Sequence, residues 1–319
     1  MSKVSEMRLG FAAPCSGSWA TPENQVEIAR RAEELGYDTL WVYQRLLYAV
    51  EPLNDYPSTP GQPWPDPFRS TVDPLVTLAF LAGRTEKIRL GTALLNAPFY
   101  TPAMAAKMLA TLDRVSDGRL TVGLGLGWSM DEFAAMGVGY ARRGARTEEF
   151  LRCLRAIWAD DEVSFDGEFY KLHRVRIDPK PVQRPAPPIL VGGYADAAPR
   201  RAVTLGDGYI GGNVPMASVA PLIARISEEA ERAGRDPAEL QVVSRGSVML
   251  QDSPQGAGRR PLHGSLDEVR ADVERYREAG LTELFIELNF DPRLAAPDAD
   301  PARAMGTAMK LMEALAPGR

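Results

Sequence analysis

The chain has 319 residues, 45% hydrophobic and 25% charged, a globular composition that excludes a disordered chain. With 37 basic and 42 acidic residues the net charge is −5, which leaves no basic footprint for nucleic acid or a membrane surface. Two cysteines (Cys15 and Cys153) and two separated histidines (His173 and His263) argue against a disulfide framework and against a metal site.

Low cysteine use fits a reduced, cytoplasmic setting. The opening MSKVSEMRLGF has no apolar core of signal-peptide length, and the longest apolar stretch, Pro74 to Gly83, is too short to span a bilayer.

Strand-like runs alternate with helical periodicity throughout. Leu9-Gly10-Phe11 reads as a first strand, and Thr21-Pro22 caps a helix whose stripe is Val26, Ala29, Ala32 and Leu35. Thr39 to Val42 is strand two. Asp73 caps a helix running through Arg84, and Ile88 to Leu94 is strand three. Met104, Met108, Leu112 and Val115 mark the next helix, followed by strand four from Leu120 to Leu124. Phe150, Leu151, Leu154, Ile157 and Trp158 form a further stripe, then come Ile189 to Val191 and Tyr209-Ile210. After Val219, Leu222, Ile223 and Ile226, strand seven spans Val242 to Met249, and Ser265 with Glu268 predicts a capping box. Leu284 to Leu288 is the last strand and Ala302 to Leu315 the last helix.

Eight strand–helix units in order predict an α/β fold, a single (β/α)8 TIM barrel over residues 1–319. Two segments exceed the minimal barrel. Residues 44–72, a long loop after strand two, carry six prolines and the aromatics Tyr48, Tyr56, Trp64 and Phe68. An insertion before strand five, Asp161 to Pro188, holds FDGEFYKL and a proline-rich tail expected to cross the bottom of the barrel.

Three strand exits carry the candidate chemistry. Gly123 to Trp128 (GLGLGW) leaves strand four, where missing side chains would either let a ligand approach the backbone or relieve crowding inside the barrel. Val191 to Asp196 (VGGYAD) leaves strand five. Free amides of Gly192, Gly193, Tyr194 and Ala195 there would suit a phosphate, with Asp196 unfavourable unless it turns away, or the segment is only a tight strand-to-helix turn. Gly91 to Pro102 (GTALLNAPFYTP) ends strand three, where either Ala93, Leu94 and Asn96 would face a flat ring and Phe99 and Tyr100 the substrate side, or the strand simply runs into a proline-delimited turn.

The ordered set LGYDTLWV, TEKIRLGTALLNAPFYTPAMAAKMLATLDRVSDGRLTVGLGLGWSMDEFAAMGV, RRGARTEEFLRCLRAIW, DGEFY, PKPVQRPAPPILVGG and LGDGYI resembles the luciferase-like flavin-dependent family. Within it, the chain is most similar to the branch using the deazaflavin coenzyme F-420, from about residue 7 to 213. The resemblance implies a cofactor ring at the C-terminal mouth of the barrel, against a non-proline cis peptide at Ala93–Leu94. It also implies that Gly125, Leu126, Gly127 and Trp128 flank the ribityl chain, and that Gly192, Gly193 and Tyr194 contact the phosphate.

The chain departs from the branch after strand two, where many relatives carry an acidic residue followed by histidine and this chain has Tyr43-Gln44-Arg45. These three are the catalytic candidates, although neither Gln44 nor Arg45 is a natural proton shuttle. Many such relatives also carry glutamate where Trp128 stands. The expected activity is hydride transfer between coenzyme F-420 and a small organic substrate, and the resemblance allows a homodimer. A reduced-FMN monooxygenase is the first alternative and a non-catalytic flavin-binding protein the second.

Other residues are open to two readings. Cys15 and Cys153 are expected to be packed thiols. His263 with Arg259 and Arg260 forms either a basic lid or a solvated loop. Arg142, Arg143 and Arg146 either meet an anionic cofactor tail or pair with Glu148 and Glu149. Arg245 and Glu287 are expected to pair inside the barrel. Trp19, Tyr48, Tyr56 and Trp64 either line a substrate pocket or pack the long loop.

Overall fold

The computed structural model describes residues 7–317. The opening segment in which no signal-like core is expected lies partly outside them. Eight parallel strands form the barrel: β1 (Arg8–Ala12), β2 (Thr39–Val42), β3 (Arg89–Thr92), β4 (Leu120–Gly125), β5 (Ile189–Val191), β6 (Gly208–Gly212), β7 (Gln241–Ser247) and β8 (Glu283–Glu287). Each pairs with its sequence neighbour, β1 with β8, and the pairs Leu90 with Leu120 and Gly91 with Thr121 close the ring between β3 and β4.

Eight helices pack outside: α1 (Pro22–Glu34), α2 (Pro74–Ala82), α3 (Pro102–Val115), α4 (Arg143–Ala159), α5 (Ala198–Leu205), α6 (Met216–Arg232), α7 (Leu266–Glu278) and α8 (Pro301–Ala314). Their starts follow from sequence. Thr21, Asp73 and Thr101 each accept a bond from a backbone N–H three residues on, with proline next in line where no N–H is needed. Ser265 and Glu268 form the expected capping box. None of the helices among the described residues is long and apolar enough to cross a membrane.

The core has two layers. A small cluster inside the barrel contains Trp41 and Phe285, stacked at 5.2 Å, with Leu190, Ile210 and Val243. A larger one fills the space between strands and helices. Trp41 fits inside because Gly91 faces it: a Cβ there would stand 2.4 Å from the indole.

Several boundaries differ from the sequence reading. β3 ends at Thr92 rather than Leu94. The chain then passes the cis Ala93–Leu94 peptide, and Leu95–Asn96 pairs again with Leu124 and Gly125. β7 ends at Ser247, and Met249–Leu250 instead pairs with His263–Gly264. FDGEFYKL is an antiparallel hairpin, Val163–Asp166 with Lys171–Val175. Its turn is fastened by Glu149, which accepts bonds from the amides of Glu168, Phe169 and Tyr170 at 2.7–2.9 Å.

The proline-rich tail crosses the bottom of the barrel as expected. The buried Asp113 at the end of α3 accepts bonds from Val182 N (2.7 Å), Gln183 N (2.9 Å) and Gln183 Nε2 (2.7 Å). Stranding buried donors is costly, so Asp113→Ala is expected to lower the unfolding free energy by about 3 kcal/mol, read as a lower urea midpoint at unchanged m-value.

Candidate functional site

The barrel's C-terminal rim surrounds a cavity of about 380 Å³. Ala93, Leu94, Asn96, Gly125, Leu126, Gly127, Trp128, Gly192, Gly193 and Tyr194 all line it, as do Tyr43, Gln44 and Arg45. The three strand exits therefore meet at one space, on the face where barrels of this kind place their sites.

The glycines do not serve it alike. Leu94 lies across the ends of β4 and β5: a Cβ on Gly125 would stand 2.9 Å from its Cδ1, and one on Gly192 2.6 Å. A Cβ on Gly123 would stand 2.0 Å from the Thr92 carbonyl oxygen. At these positions the missing side chains relieve crowding within the protein. Gly127, at φ +76°, makes the turn that carries Trp128 out of β4.

The β5 exit also needs a correction. The amide of Gly192 is not free, since it donates to Leu124 O at 2.8 Å. Among the described residues, the amides of Gly193, Tyr194 and Ala195 donate to no protein acceptor. Asp196 turns away to Arg225, 3.2 Å from its Nη1.

The residues after β2 are held firmly. Gln44 braces the end of β3: its Oε1 accepts from Asn96 N at 2.8 Å and its Nε2 donates to the Tyr100 hydroxyl at 2.6 Å. Arg45 is paired twice with the buried Glu132, Nε to Oε1 at 2.8 Å and Nη2 to Oε2 at 2.5 Å. Its guanidinium lies 4.8 Å from the Trp128 ring centroid and 5.3 Å from that of Phe68. Tyr43 packs on Phe290 and bonds Ser16 through its hydroxyl, and burial pushes that phenol well above its usual pKa.

The long loop forms one wall. Trp64 and Tyr56 lie 4.9 and 5.1 Å from Trp128, and Tyr56 meets Phe68 edge-on at 5.2 Å. Asn54 ties the loop down by donating to Trp128 O (3.2 Å) and accepting from Met130 N (2.7 Å). Of the four aromatics with two readings, Tyr56 lines the cavity. Trp19 is buried elsewhere, and Trp64 and Tyr48 pack the loop.

Charge in the lining is cationic. Arg201 pairs with Glu148 at 3.0 Å. Arg143 packs 4.0 Å over Tyr140 and, among the described residues, has no carboxylate within ion-pair distance and buries an Nε with no hydrogen-bond partner. Of the two readings for Arg142, Arg143 and Arg146, the pairing with Glu148 and Glu149 is absent among the described residues. Glu148 takes Arg201 and Arg152, Glu149 takes the hairpin amides, and Arg142 takes Glu168.

Arg245 and Glu287 do not form an ion pair either. Arg245 lies 3.9 Å over Phe290, while Glu287 accepts bonds from Asn289 N and Nδ2, both 2.7 Å. Cys15 and Cys153 are packed thiols raised by burial, Cys153 to about 11. Neither His263 nor Arg259 lines the cavity. Burial, aided by Arg260, lowers the imidazole pKa, and Arg259 pairs with Asp272 and Glu268.

Asn54, Tyr140, Arg201, Tyr209, Phe285 and Phe290 line the cavity without having stood out in the sequence. Phe285 and Tyr209 follow from strand alternation once the barrel is known. The others come from loops or a helix start, where no periodicity marks them.

A closed (β/α)8 barrel with a side-chain-poor, cationic cavity at the strand ends defines a cofactor- and substrate-binding barrel of the enzyme kind. The chain belongs to the luciferase-like monooxygenase family, whose family model matches residues 7–280. Members include flavin- and deazaflavin-dependent oxidoreductases. The chain is 30% identical over 286 residues to an uncharacterized protein of Mycobacterium bovis, covering 86% of this chain and 88% of that one. It is 28% identical over 258 residues to an F-420-dependent glucose-6-phosphate dehydrogenase of Kineococcus radiotolerans (79% and 70% covered). An FMNH2-dependent dimethylsulfone monooxygenase of Pseudomonas putida is 35% identical over 181 residues (56% and 48%). Monooxygenase RslO1 of Streptomyces bottropensis shares the fold at a TM-score of 0.76, with 24% identity and 98% of each chain covered.

Two outcomes test the electrostatics. Glu132→Ala leaves Arg45 buried and uncompensated, and is expected to cost about 3–5 kcal/mol of stability, measured by denaturant unfolding. Burial raises the Glu287 carboxyl from the usual 4.5 to about 7, against the lowering effect of Arg245 and Asn289. The native state thus holds this proton more tightly than the unfolded chain. The group's favourable contribution is full below about 4.5 and is lost as pH rises to about 7. Glu287→Gln keeps an acceptor for Asn289. Its melting temperature relative to the parent is expected to climb between those pH values and then level off.

Proposed function

We propose that the chain transfers hydride between coenzyme F-420 and a small organic substrate. The observation that carries this reading is the pairing of a side-chain-poor wall, from β3 to the β5 exit, with Arg143, which has no carboxylate partner among the described residues, at one end of it. Ala93, Leu94 and Asn96 are positioned to support a planar ring, with Gly125, Leu126, Gly127 and Trp128 beside its chain. The unclaimed amides of Gly193 and Tyr194 suit a phosphate, together with Arg201 and the orphaned Nε of Arg143. Arg146, three residues further along α4, does not line the cavity and packs 4.7 Å over Phe169 of the hairpin.

When bound, the coenzyme supplies the hydride donor or acceptor, and the protein supplies orientation and exclusion of water. Gln44 holds the end of β3 in place, and Arg45, locked to Glu132, holds Trp128. Tyr43 keeps its proton, because burial disfavours the phenolate. No carboxylate or imidazole lines the cavity among the described residues. The reading therefore favours substrates whose protons exchange with solvent without a side-chain acid.

That same lack, with Trp128 in place of an acidic residue, favours a second reading, a monooxygenase using reduced FMN. Titration with F-420 separates the two. Micromolar quenching of its fluorescence is expected, and Arg143→Met should weaken it about tenfold, the effect of one charge-assisted bond. Absence of quenching together with oxygen uptake in the presence of reduced FMN would instead establish the second reading.

A further inference from the structure

Among the described residues, the cavity has a second arginine without a carboxylate partner, far round the barrel from α4. Continuing past β5, its lining runs through Gly212 at the end of β6, Arg245 in β7 and Phe290 after β8. Among the described residues, Arg245 has no carboxylate within ion-pair distance, though its charge acts on the buried Glu287, and its one side-chain hydrogen bond is Nε to Asn213 Oδ1 at a long 3.5 Å. Its seat is shaped for it. The guanidinium stacks 3.9 Å from the Phe290 ring centroid, and a Cβ on Gly212 would come within 2.9 Å of Nη2. Stacking on one face leaves the planar edge of donors available for a ligand.

We propose that Arg245 anchors a carboxylate on the substrate, whose apolar body lies against Phe290, Phe68 and Tyr56. The proposal deepens the hydride-transfer reading and rests on it for the word substrate. Arg45 and Arg201 are paired, and Arg143 stands at the phosphate end, so this side of the cavity offers a single positive charge. One guanidinium matches a carboxylate in charge and in two-point geometry, whereas a phosphate dianion needs a second cation. The three rings supply an apolar wall next to that charge, which strengthens such a bond relative to open water.

Calorimetric titration with benzoate, phenylacetate and hexanoate, each against its amide, tests this on the chain with and without F-420. The carboxylates should bind about tenfold tighter than the amides. Arg245→Met should abolish that preference while leaving F-420 affinity within about twofold, and Arg143→Met should do the reverse. A preference that survives Arg245→Met, no preference in the parent chain, or loss of F-420 affinity in Arg245→Met would overturn the proposal. If F-420 fails to bind but the carboxylate preference persists and depends on Arg245, the cofactor reading falls and the anchor stands.

Discussion

Leu94 occupies the volume where three strand ends meet, and the geometry of the rim depends on that packing. Its methyl carbons take the space that side chains on Gly125 and Gly192 would need. Thr92 fastens the same junction, its hydroxyl donating to Gly123 O and accepting from Gly123 N, both at 2.9 Å. Interiors are close-packed, so a methyl group at any of these glycines would force the strand ends apart. The wall of the cavity is therefore backbone, held in place by one leucine and one threonine hydroxyl.

The loop opposite that wall is ordered by a different kind of contact. Prolines limit the conformations of residues 44–72, and aromatic faces give the loop something to bury. Trp128 receives Tyr56 and Trp64, and the buried Arg45–Glu132 pair fixes the start of the loop. Asn54 links its middle to the exit of β4. A buried ion pair stabilises little by itself, but it admits few alternative geometries. It therefore sets where Trp128 stands.

Charge is segregated between the cavity and what lies around it. Arginines reach the lining, while the carboxylates Glu132 and Glu287 stay behind it, bonded to protein groups. Such a space attracts anions and offers little proton chemistry. That division fits a family in which the cofactor carries the reaction and the protein supplies position and polarity.

The order of strands and helices was readable from periodicity and caps, because each element's own buried face and terminal polar groups are local properties. Thr21-Pro22, Asp73-Pro74 and the Ser265–Glu268 box marked helix starts within a residue. The glycine-rich exits were readable as unusual, but not what filled the missing side chains: that Leu94 does so depends on how β3, β4 and β5 converge. In the same way, the sequence placed arginines near the mouth, yet their partners were decided by tertiary structure. Glu168, carried in by a hairpin, takes Arg142, whereas Arg143 and Arg245 have no carboxylate partner among the described residues. Local sequence determines which backbone forms. Which charges remain unpaired depends on residues far apart in the chain, and only closure of the barrel brings those together.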